Sequence, residues 1–399
     1  MKSILFITYE YPTYTPFGGI AFYYAKVAEL LSKQGFFVTV IAGKVDEHGI
    51  GEMEMNLNQT LTHVYITCKN IVDFEKYAAK WITEQKINFD LIEIPEQSAL
   101  FLESILKGIH RKVGAKLIVR VHGTTILSNL FNVKIKFTGL VIFCYNKFLL
   151  TPKRVRFSKL FSPKVYGIAK RNYREYYLVR NADIVTAPSS IMAAFVNTHW
   201  LKANKTIVFP NPSQYPIRDY EKKLFHRDTI NVSYVNRLQY LKGFDLFHLL
   251  SKQFLKNGNI RFSAFGNDTQ LNIGYTKEDI LKTIEINGFV KANELIEVYK
   301  KSHIVVVPSR FESFSNVVLE AMGFGCIVIV SDNIGMAEHI THGLNGFVFQ
   351  SDKYHSLETV FNEIIGMERA EMERVSFNAY QTALKLSENK ELLEFYHTI

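Results

Sequence analysis

The sequence predicts an α/β protein made of two doubly wound domains, each built around a parallel sheet. Its 399 residues suffice for two domains of ordinary size, and its composition, 47% hydrophobic and 21% charged, is typical of folded globular proteins. Short apolar runs alternate along the chain with segments of helical periodicity, which is the pattern of parallel α/β sheets. A turn-rich stretch at 209–216 interrupts this alternation and predicts the linker between the domains.

The first half of the chain predicts one helix and five strands. Residues 21–33 have the apolar spacing of a helix that ends before Gly35. The strands are predicted from short apolar runs, at 4–8, 36–42, 91–94, 117–121 and 184–187. Together these elements define an expected N-terminal domain of residues 1–208.

The second half repeats the alternation after the linker. Strands are predicted at 230–235, 260–265, 304–307 and 327–330, and helices at 244–253, 293–301 and 317–324. These elements define an expected C-terminal domain of residues 209–385. In doubly wound sheets ligands bind at the carboxyl ends of the strands, so a cleft between two such domains is the expected active site.

The formal net charge of +9 is concentrated in one segment. Residues 131–180 contain twelve Lys or Arg and a single acidic residue, Glu175, while the remainder of the chain is nearly neutral. Aromatic and aliphatic residues are interleaved with these cations, a composition suited to an anionic membrane surface. The alternative is a core segment with a solvated basic face. No nucleic-acid recognition motif accompanies the cations, so nucleic acid is not an expected partner.

The remaining composition favours a reducing compartment. The three cysteines, Cys68, Cys144 and Cys326, have neither metal-ligand nor disulfide-framework spacing. The first residues contain too short an apolar run for a secretory signal, and no stretch reaches the roughly 20 apolar residues of a spanning helix. We therefore expect a cytoplasmic protein, peripheral at the inner face of the membrane.

The most informative motif is a pair of glutamates, Glu312 and Glu320, that flank the end of a predicted strand. The apolar run before them ends at Pro308, and Ser315 or Asn316 is placed to cap a helix that contains Glu320. A helix start favours a bound anion, and carboxylates beside it accept hydrogen bonds from hydroxyl groups. A ligand with both phosphate and hydroxyl groups, such as a sugar nucleotide, fits this pattern.

In its context, between Val306-Val-Pro-Ser309 and Glu320-Ala-Met-Gly-Phe-Gly325, this pair resembles the Glu-x7-Glu signature of the retaining glycosyltransferases of family 4. The resemblance implies the GT-B fold, with two Rossmann-like domains facing across a cleft: an acceptor-side N-terminal domain and a nucleotide-sugar-binding C-terminal domain. It also implies that a last helix, at about 386–399, packs back on the N-terminal domain. The alternative is that both glutamates are ordinary surface charges.

A second motif, Tyr234-Val-Asn-Arg237-Leu-Gln-Tyr-Leu-Lys242-Gly243, follows a predicted strand and opens a helix. Its two cations are suited to grip a diphosphate, Arg237 by paired hydrogen bonds and Lys242 as a point charge. The motif resembles the Gly-Arg-Leu…Lys-Gly motif of the same family, with Asn236 where the family commonly has glycine.

Three weaker motifs have counterparts in the family. Gly18 and Gly19, between the first strand and the first helix, resemble the loop that approaches the donor phosphate. His122, after a strand end, stands where a family histidine faces the sugar. Phe289 and Val290 resemble the loop beside the nucleobase. Each also has a plain structural alternative, as a turn, a structural histidine or a surface loop.

The resemblance implies a role for each of these residues. Glu320 binds the ribose hydroxyls and Glu312 a hydroxyl of the donor sugar, while Arg237 and Lys242 stabilise the departing diphosphate. His122 orients the sugar or carries positive charge near the reaction centre. Backbone amides of four consecutive residues hold sugar hydroxyls and phosphate: Phe314, Ser315, Asn316 and Val317.

The resemblance implies a retaining glycosyltransferase of the hexosyltransferase class, expected to be metal-independent. The sequence has no Asp-x-Asp motif, so neither a metal nor a cofactor is expected, and the donor would be a nucleotide-diphosphate sugar, foremost a UDP-sugar. The acceptor would be a lipid-linked, glycan or other hydroxyl in cell-surface polysaccharide or glycolipid synthesis. The alternatives are a nucleotide-sugar epimerase or hydrolase of the same fold, and a non-catalytic membrane-associated scaffold.

Overall fold

The computed structural model describes residues 2–12, 14, 18–84, 89–97, 114–123, 163–200, 205–217, 219–225, 229–267 and 275–399, with the side chains of 163–170, 172, 199 and 292 left out. These residues fall into two compact units. The first unit contains the described residues up to Pro212 together with Glu391–Ile399, and the second contains Ser213–Lys390.

The first unit is built on an eight-stranded sheet in the order β3-β4-β2-β1-β5-β6-β7-β8. Every pairing is parallel except that of β3 with β4. In chain order its elements are β1 (Ser3–Thr8), α1 (Gly19–Lys33), β2 (Phe37–Val45), β3 (Met53–Asn58), β4 (Leu61–Cys68), α2 (Ile71–Glu84), β5 (Leu91–Pro95), β6 (Lys116–Arg120), α3 (Pro163–Asn181), β7 (Ile184–Ala187), α4 (Ser190–His199) and β8 (Ile207–Val208).

The five strands predicted for this unit are present, but the segment between β2 and β5 was not predicted. It forms the β3–β4 hairpin and α2. The sequence did not predict the hairpin because β3 is an edge strand with all six residues exposed, and it therefore lacks a buried apolar face.

The second unit is built on a six-stranded, fully parallel sheet in the order β11-β10-β9-β12-β13-β14. Two of its inner strands, β12 and β13, are buried along their whole length because helices cover both faces. In chain order its elements are β9 (Ile230–Val235), α5 (Phe244–Gln253), β10 (Ile260–Phe265), α6 (Lys277–Leu281), β11 (Glu285–Ile286), α7 (Ala292–Lys301), β12 (Ile304–Val307), α8 (Asn316–Gly323), β13 (Ile327–Ser331), β14 (Phe347–Phe349), α9 (Tyr354–Ile365) and α10 (Arg369–Ser387).

The last helix, α11 (Lys390–Thr398), contributes to the core of the first unit. Its residues Leu392, Phe395 and Tyr396 are buried in the same apolar cluster as β1 and α1. The Tyr396 hydroxyl donates a hydrogen bond to the buried carboxylate of Glu93, on β5. Because a buried carboxylate needs a donor, this contact ties the end of the chain to the centre of the first sheet.

The basic segment at 131–180 lies largely outside the described residues. Only α3, which begins at Pro163, belongs to its described part. Within the ranges described, none of the helices combines the length and the apolar character needed to cross a bilayer.

Candidate functional site

Glu312 lies just beyond β12, at the carboxyl edge of the second sheet, and its carboxylate is almost fully buried. One of its oxygens, Oε1, lies 2.9 Å from Lys242 Nζ, 2.5 Å from Ser309 Oγ and 3.0 Å from Asn236 Nδ2. The side chains of Glu312 and Lys242 are only 10% and 14% exposed, so this ion pair is largely screened from water. The structure thus brings both predicted motifs of this unit together through one oxygen atom.

These contacts decide the ionisation state of Glu312. Burial opposes ionisation of the carboxyl, but the charge of Lys242 and the hydrogen bond from Ser309 outweigh it, and the pKa of Glu312 lies below its ordinary value. Glu312 is therefore a carboxylate at neutral pH, able to accept but not to donate a proton.

The loop that carries Arg237 and Lys242 is held rigidly at the end of β9. A 3₁₀ turn at Tyr240–Lys242 ends at Gly243, whose φ of 69° is in the left-handed region. A Cβ atom on Gly243 would lie 1.9 Å from the carbonyl oxygen of Pro308, so only glycine permits this approach of the loop to the end of β12. Arg237, by contrast, is exposed.

Arg310 stabilises this loop through several hydrogen bonds. Its guanidinium makes paired hydrogen bonds to both carboxylate oxygens of Asp245, at 2.8 and 2.7 Å, and a further one of 2.8 Å to Asp352. It also donates to the Tyr240 carbonyl, and its charge lies 3.5 Å from the centroid of the Tyr240 ring. Sequence reasoning missed Arg310, although it directly follows the Pro308-Ser309 end of the strand.

The helix start after Glu312 has an unusual backbone. Ser315 occupies the N-cap position of α8 with φ 94° and ψ 87°, a conformation that non-glycine residues rarely adopt, and its side chain makes no capping hydrogen bond. The helix begins at Asn316, one residue earlier than predicted, and Asn316 and Val317 are half-buried. Phe314 is buried, and its carbonyl accepts the Met336 N–H at 2.9 Å. Such strain is typical of functional sites.

Glu320, the second glutamate of the pair, is buried inside α8. Its Oε2 accepts a hydrogen bond of 2.8 Å from the hydroxyl of Tyr299, on α7, and the two residues are 5% and 0% exposed. Burial raises the pKa of Glu320 to about 7, although the Tyr299 hydrogen bond acts in the opposite direction. Tyr299 was not predicted, because nothing near it in the sequence distinguishes it from a core tyrosine.

This raised pKa predicts that nucleotide binding depends on pH. If ribose hydroxyls donate to Glu320, they bind its ionised form, so affinity should fall as pH drops through about 7. We expect the Kd of the preferred nucleoside diphosphate to rise about tenfold from about pH 8 to about pH 6. The same calorimetric series on Glu320→Gln, which cannot titrate there, corrects for titration of the ligand. Identical pH profiles for the two proteins would contradict the prediction.

Phe289 and Val290 follow β11, at the carboxyl edge of the second sheet. Phe289 is 69% exposed, unusual for so large an apolar side chain, and Val290 is half-buried. The preceding Gly288 accepts the Gly266 N–H at 2.7 Å, which fixes the loop against the end of β10. An exposed aromatic on an anchored loop is available to stack on a planar ligand.

In the first unit, Gly18 and Gly19 are exposed at the start of α1. Neither has a positive φ, so the conformational freedom expected of them is not used here; Gly18 is extended, with φ −128°. The Glu10 carboxyl accepts the Gly18 N–H, and burial raises its pKa. A carboxyl group thus stands at the helix start that the sequence assigned to a donor phosphate, and a phosphate there would have to displace it.

His122 follows β6, and its loop is held by a carboxyl group that the sequence did not single out. The fully buried Glu96 accepts the backbone N–H groups of His122 and Gly123, each at 2.9 Å. The imidazole packs edge-on against Tyr23 and Tyr24, with centroids 4.8 and 5.8 Å away. Burial, reinforced by the charge of Arg120, holds the pKa of His122 well below its usual value. A neutral imidazole favours an orienting role over that of a positive charge.

A cluster of three or more His, Cys, Asp or Glu side chains suited to a metal ion does not occur within the described ranges. The donor set that the structure assembles around Glu312 consists of an ammonium, an amide and a hydroxyl group. Such groups bind anionic and hydroxyl-bearing ligands.

Comparison with known proteins finds a family that is similar to the second unit. Residues 217–382 match the family described as glycosyl transferases group 1. An uncharacterized glycosyltransferase of Methanocaldococcus jannaschii is 28% identical over 204 residues, 47% of this chain and 51% of the relative. An uncharacterized 41.2 kDa protein in the cps region of Klebsiella pneumoniae is 29% identical over 31% of this chain and 33% of its own. The chain thus spans about half or less of the length of these relatives.

Solved structures share the fold over the whole chain. Sucrose-phosphate synthase from Thermosynechococcus elongatus superposes with a TM-score of 0.71 at 16% identity, covering 100% of this chain and 98% of its own. Anabaena HepE, solved in complex with UDP-glucose, has a TM-score of 0.62 at 15% identity and covers 100% of both chains. The fold class and the family resemblance expected from the sequence are thereby confirmed. Residues 217–382 match the glycosyl transferases group 1 family, and the chain that carries them has the GT-B fold.

Proposed function

We propose that this protein is a retaining glycosyltransferase that moves a sugar from a nucleotide-diphosphate sugar to an acceptor hydroxyl. The observation that carries the proposal is the ionised Glu312 carboxylate paired with Lys242, 2.9 Å away, in the family's own motif. This pair offers one group of each sign: the carboxylate accepts from a sugar hydroxyl, and the ammonium donates to a phosphate.

The proposed roles follow from these charges. Lys242 and the exposed Arg237 would stabilise the negative charge that develops on the diphosphate as the bond to the sugar breaks. The amides at the start of α8 (Phe314, Ser315, Asn316 and Val317) would add donors of fixed orientation. Glu320 would hold the ribose and Phe289 the base, with Val290 beside it. Three donors contact the Glu312 carboxylate, so we assign it to sugar binding and not to proton transfer. The departing phosphate would instead accept the proton of the acceptor hydroxyl.

We further propose that a UDP-sugar is the donor and that a hexosyl group is transferred. A UDP-glucose complex of a protein with the same fold supports this choice. A thermal-shift panel of UDP, GDP and ADP with UDP-glucose, GDP-mannose and ADP-glucose tests it. A ligand at about 100 Kd should add roughly 2.7 kcal/mol of stability, with EDTA having no effect. Stabilisation by another nucleotide would refute the choice of UDP, and stabilisation by none would refute the donor site.

For the acceptor, we propose a lipid-linked or glycan hydroxyl in cell-surface polysaccharide synthesis. The relative encoded in a cps region supports this pathway. We also propose that residues 131–180, with their excess of cations, bring the enzyme to the cytoplasmic face of an anionic membrane. Flotation with vesicles of phosphatidylglycerol against neutral phosphatidylcholine tests this surface: equal recovery with both would refute it.

A further inference from the structure

Asn236 stands directly after β9, and both ends of its side-chain amide are engaged within the site. Its Nδ2 donates to Glu312 Oε1 at 3.0 Å, and its Oδ1 accepts the backbone N–H of Arg237, also at 3.0 Å. One side chain therefore links the carboxylate assigned to the sugar with the loop assigned to the diphosphate.

The backbone that presents this amide is fixed. The Asn236 N–H donates to the Phe265 carbonyl, at 3.0 Å, across the end of β10. Its own carbonyl oxygen would lie only 1.9 Å from a Cβ atom on Gly266, so the two backbones pass as closely as a glycine permits. Because the contacts with Phe265 and Gly266 hold the backbone of Asn236, its side chain extends toward Glu312 from a fixed position.

The geometry at Glu312 is asymmetric. Asn236, Ser309 and Lys242 all donate to Oε1. A carboxylate oxygen has about two lone-pair positions, so three donors saturate it. A hydroxyl group of a ligand would then be accepted by Oε2. Lys242 has three N–H bonds, so it can keep one on Oε1 and direct the others to a phosphate.

We propose that Asn236 is a positioning residue, which fixes the Glu312 carboxylate so that Oε2 receives a hydroxyl of the donor sugar. The inference rests on the proposed function and deepens it. The family commonly has glycine at this position, whose lack of a side chain removes this donor. In this chain Asn236 should therefore strengthen binding of a nucleotide sugar without strengthening binding of the nucleoside diphosphate alone.

Isothermal titration calorimetry on the full chain tests this distinction. The ligand pairs are UDP-glucose with UDP, GDP-mannose with GDP, and ADP-glucose with ADP. For the pair that binds, Asn236→Ala should weaken the nucleotide sugar about tenfold, equivalent to about 1.4 kcal/mol, and the nucleoside diphosphate less than twofold. Asn378→Ala is the matched control, since the side chain of this half-buried asparagine of the same unit donates to the Leu344 carbonyl.

A second variant, Asn236→Asp, provides a signature that a packing defect cannot imitate. At neutral pH the introduced carboxylate repels Glu312, and nucleotide-sugar affinity should fall below that of Asn236→Ala. Near pH 5 a proton shared between the two carboxyl groups restores a hydrogen bond, and the gap between the two variants should close.

The possible results distinguish the positioning role of Asn236 from the proposed donor site. Equal weakening of the nucleotide sugar and the nucleoside diphosphate in Asn236→Ala, or no weakening of either, overturns the positioning role while leaving the donor site intact. A wild-type protein that binds no member of the three pairs overturns the proposed donor site itself.

Discussion

Replacement of Glu312 by alanine should lower kcat/KM for sugar transfer by about 100-fold, equivalent to about 2.7 kcal/mol. In the role proposed for Glu312, the variant loses the acceptor for a sugar hydroxyl, a charge-assisted hydrogen bond that contributes about 1.5–3 kcal/mol. It also leaves the Lys242 ammonium, 14% exposed, without the carboxylate that lies 2.9 Å away. Steady-state rates with the nucleotide sugar that stabilises the wild type provide the measurement.

Two further variants serve as comparisons for Glu312→Ala. Glu312→Gln keeps the size and one acceptor oxygen but not the charge, so its activity should lie between that of wild type and Glu312→Ala. Glu297→Ala is the matched control, because Glu297 is 61% exposed on α7, and its activity should stay within about twofold of wild type. An alanine variant at position 312 with wild-type kcat/KM would refute the proposed role of this carboxylate.

Replacement of Arg310 by alanine should lower the free energy of unfolding of the second unit by about 3–5 kcal/mol. The guanidinium is 4% exposed and satisfies Asp245, which is itself 13% exposed. Removing it leaves that carboxylate buried without its cation, and the 3₁₀ turn at Tyr240–Lys242 loses the hydrogen bond to the Tyr240 carbonyl. The more exposed ion pair of Arg374 with Glu371 is the control, and Arg374→Ala should change stability by less than about 1 kcal/mol.

The chain offers a way to localise this loss. Both tryptophans, Trp81 and Trp200, lie in the first unit, so their fluorescence follows that unit during urea unfolding. Far-ultraviolet circular dichroism follows the helices of both units. For Arg310→Ala the transition seen by circular dichroism should move to lower urea, and by more than the fluorescence transition. A shift of the fluorescence transition alone would contradict the assignment of the effect to the second unit.

The sequence identified those candidate site residues that lie in a recognisable local pattern. Strand ends, glycines and charges at fixed spacing identified Glu312, Lys242 and His122 as candidates, because a parallel sheet gathers such residues at one edge. Their roles remain predictions. The pattern did not reveal that Lys242 contacts Glu312, since the pairing depends on how the ends of β9 and β12 are brought together.

Residues that hold others in place were harder to find. Glu96 and Tyr299 are buried, and each acts on a partner far along the chain: Glu96 on the His122 backbone, Tyr299 on Glu320. Burial and the direction of a side chain are properties of tertiary packing, which the local sequence does not encode. One signal was present for Glu96: a carboxylate directly after Pro95, at the end of an apolar strand. Tyr299 has no such signal, because its helix reads as an ordinary amphipathic one.

The first unit takes its last helix from beyond the second unit, and this order has a consequence for synthesis. A ribosome delivers residues 1–212, then all of 213–390, and only then the nine residues that complete the first unit. Until α11 emerges, Glu93 lacks the Tyr396 hydroxyl and the apolar face beneath Leu392 and Phe395 is uncovered. The second unit is thus the first whose parts are all available, which reverses the usual N-terminal-first order of folding during translation.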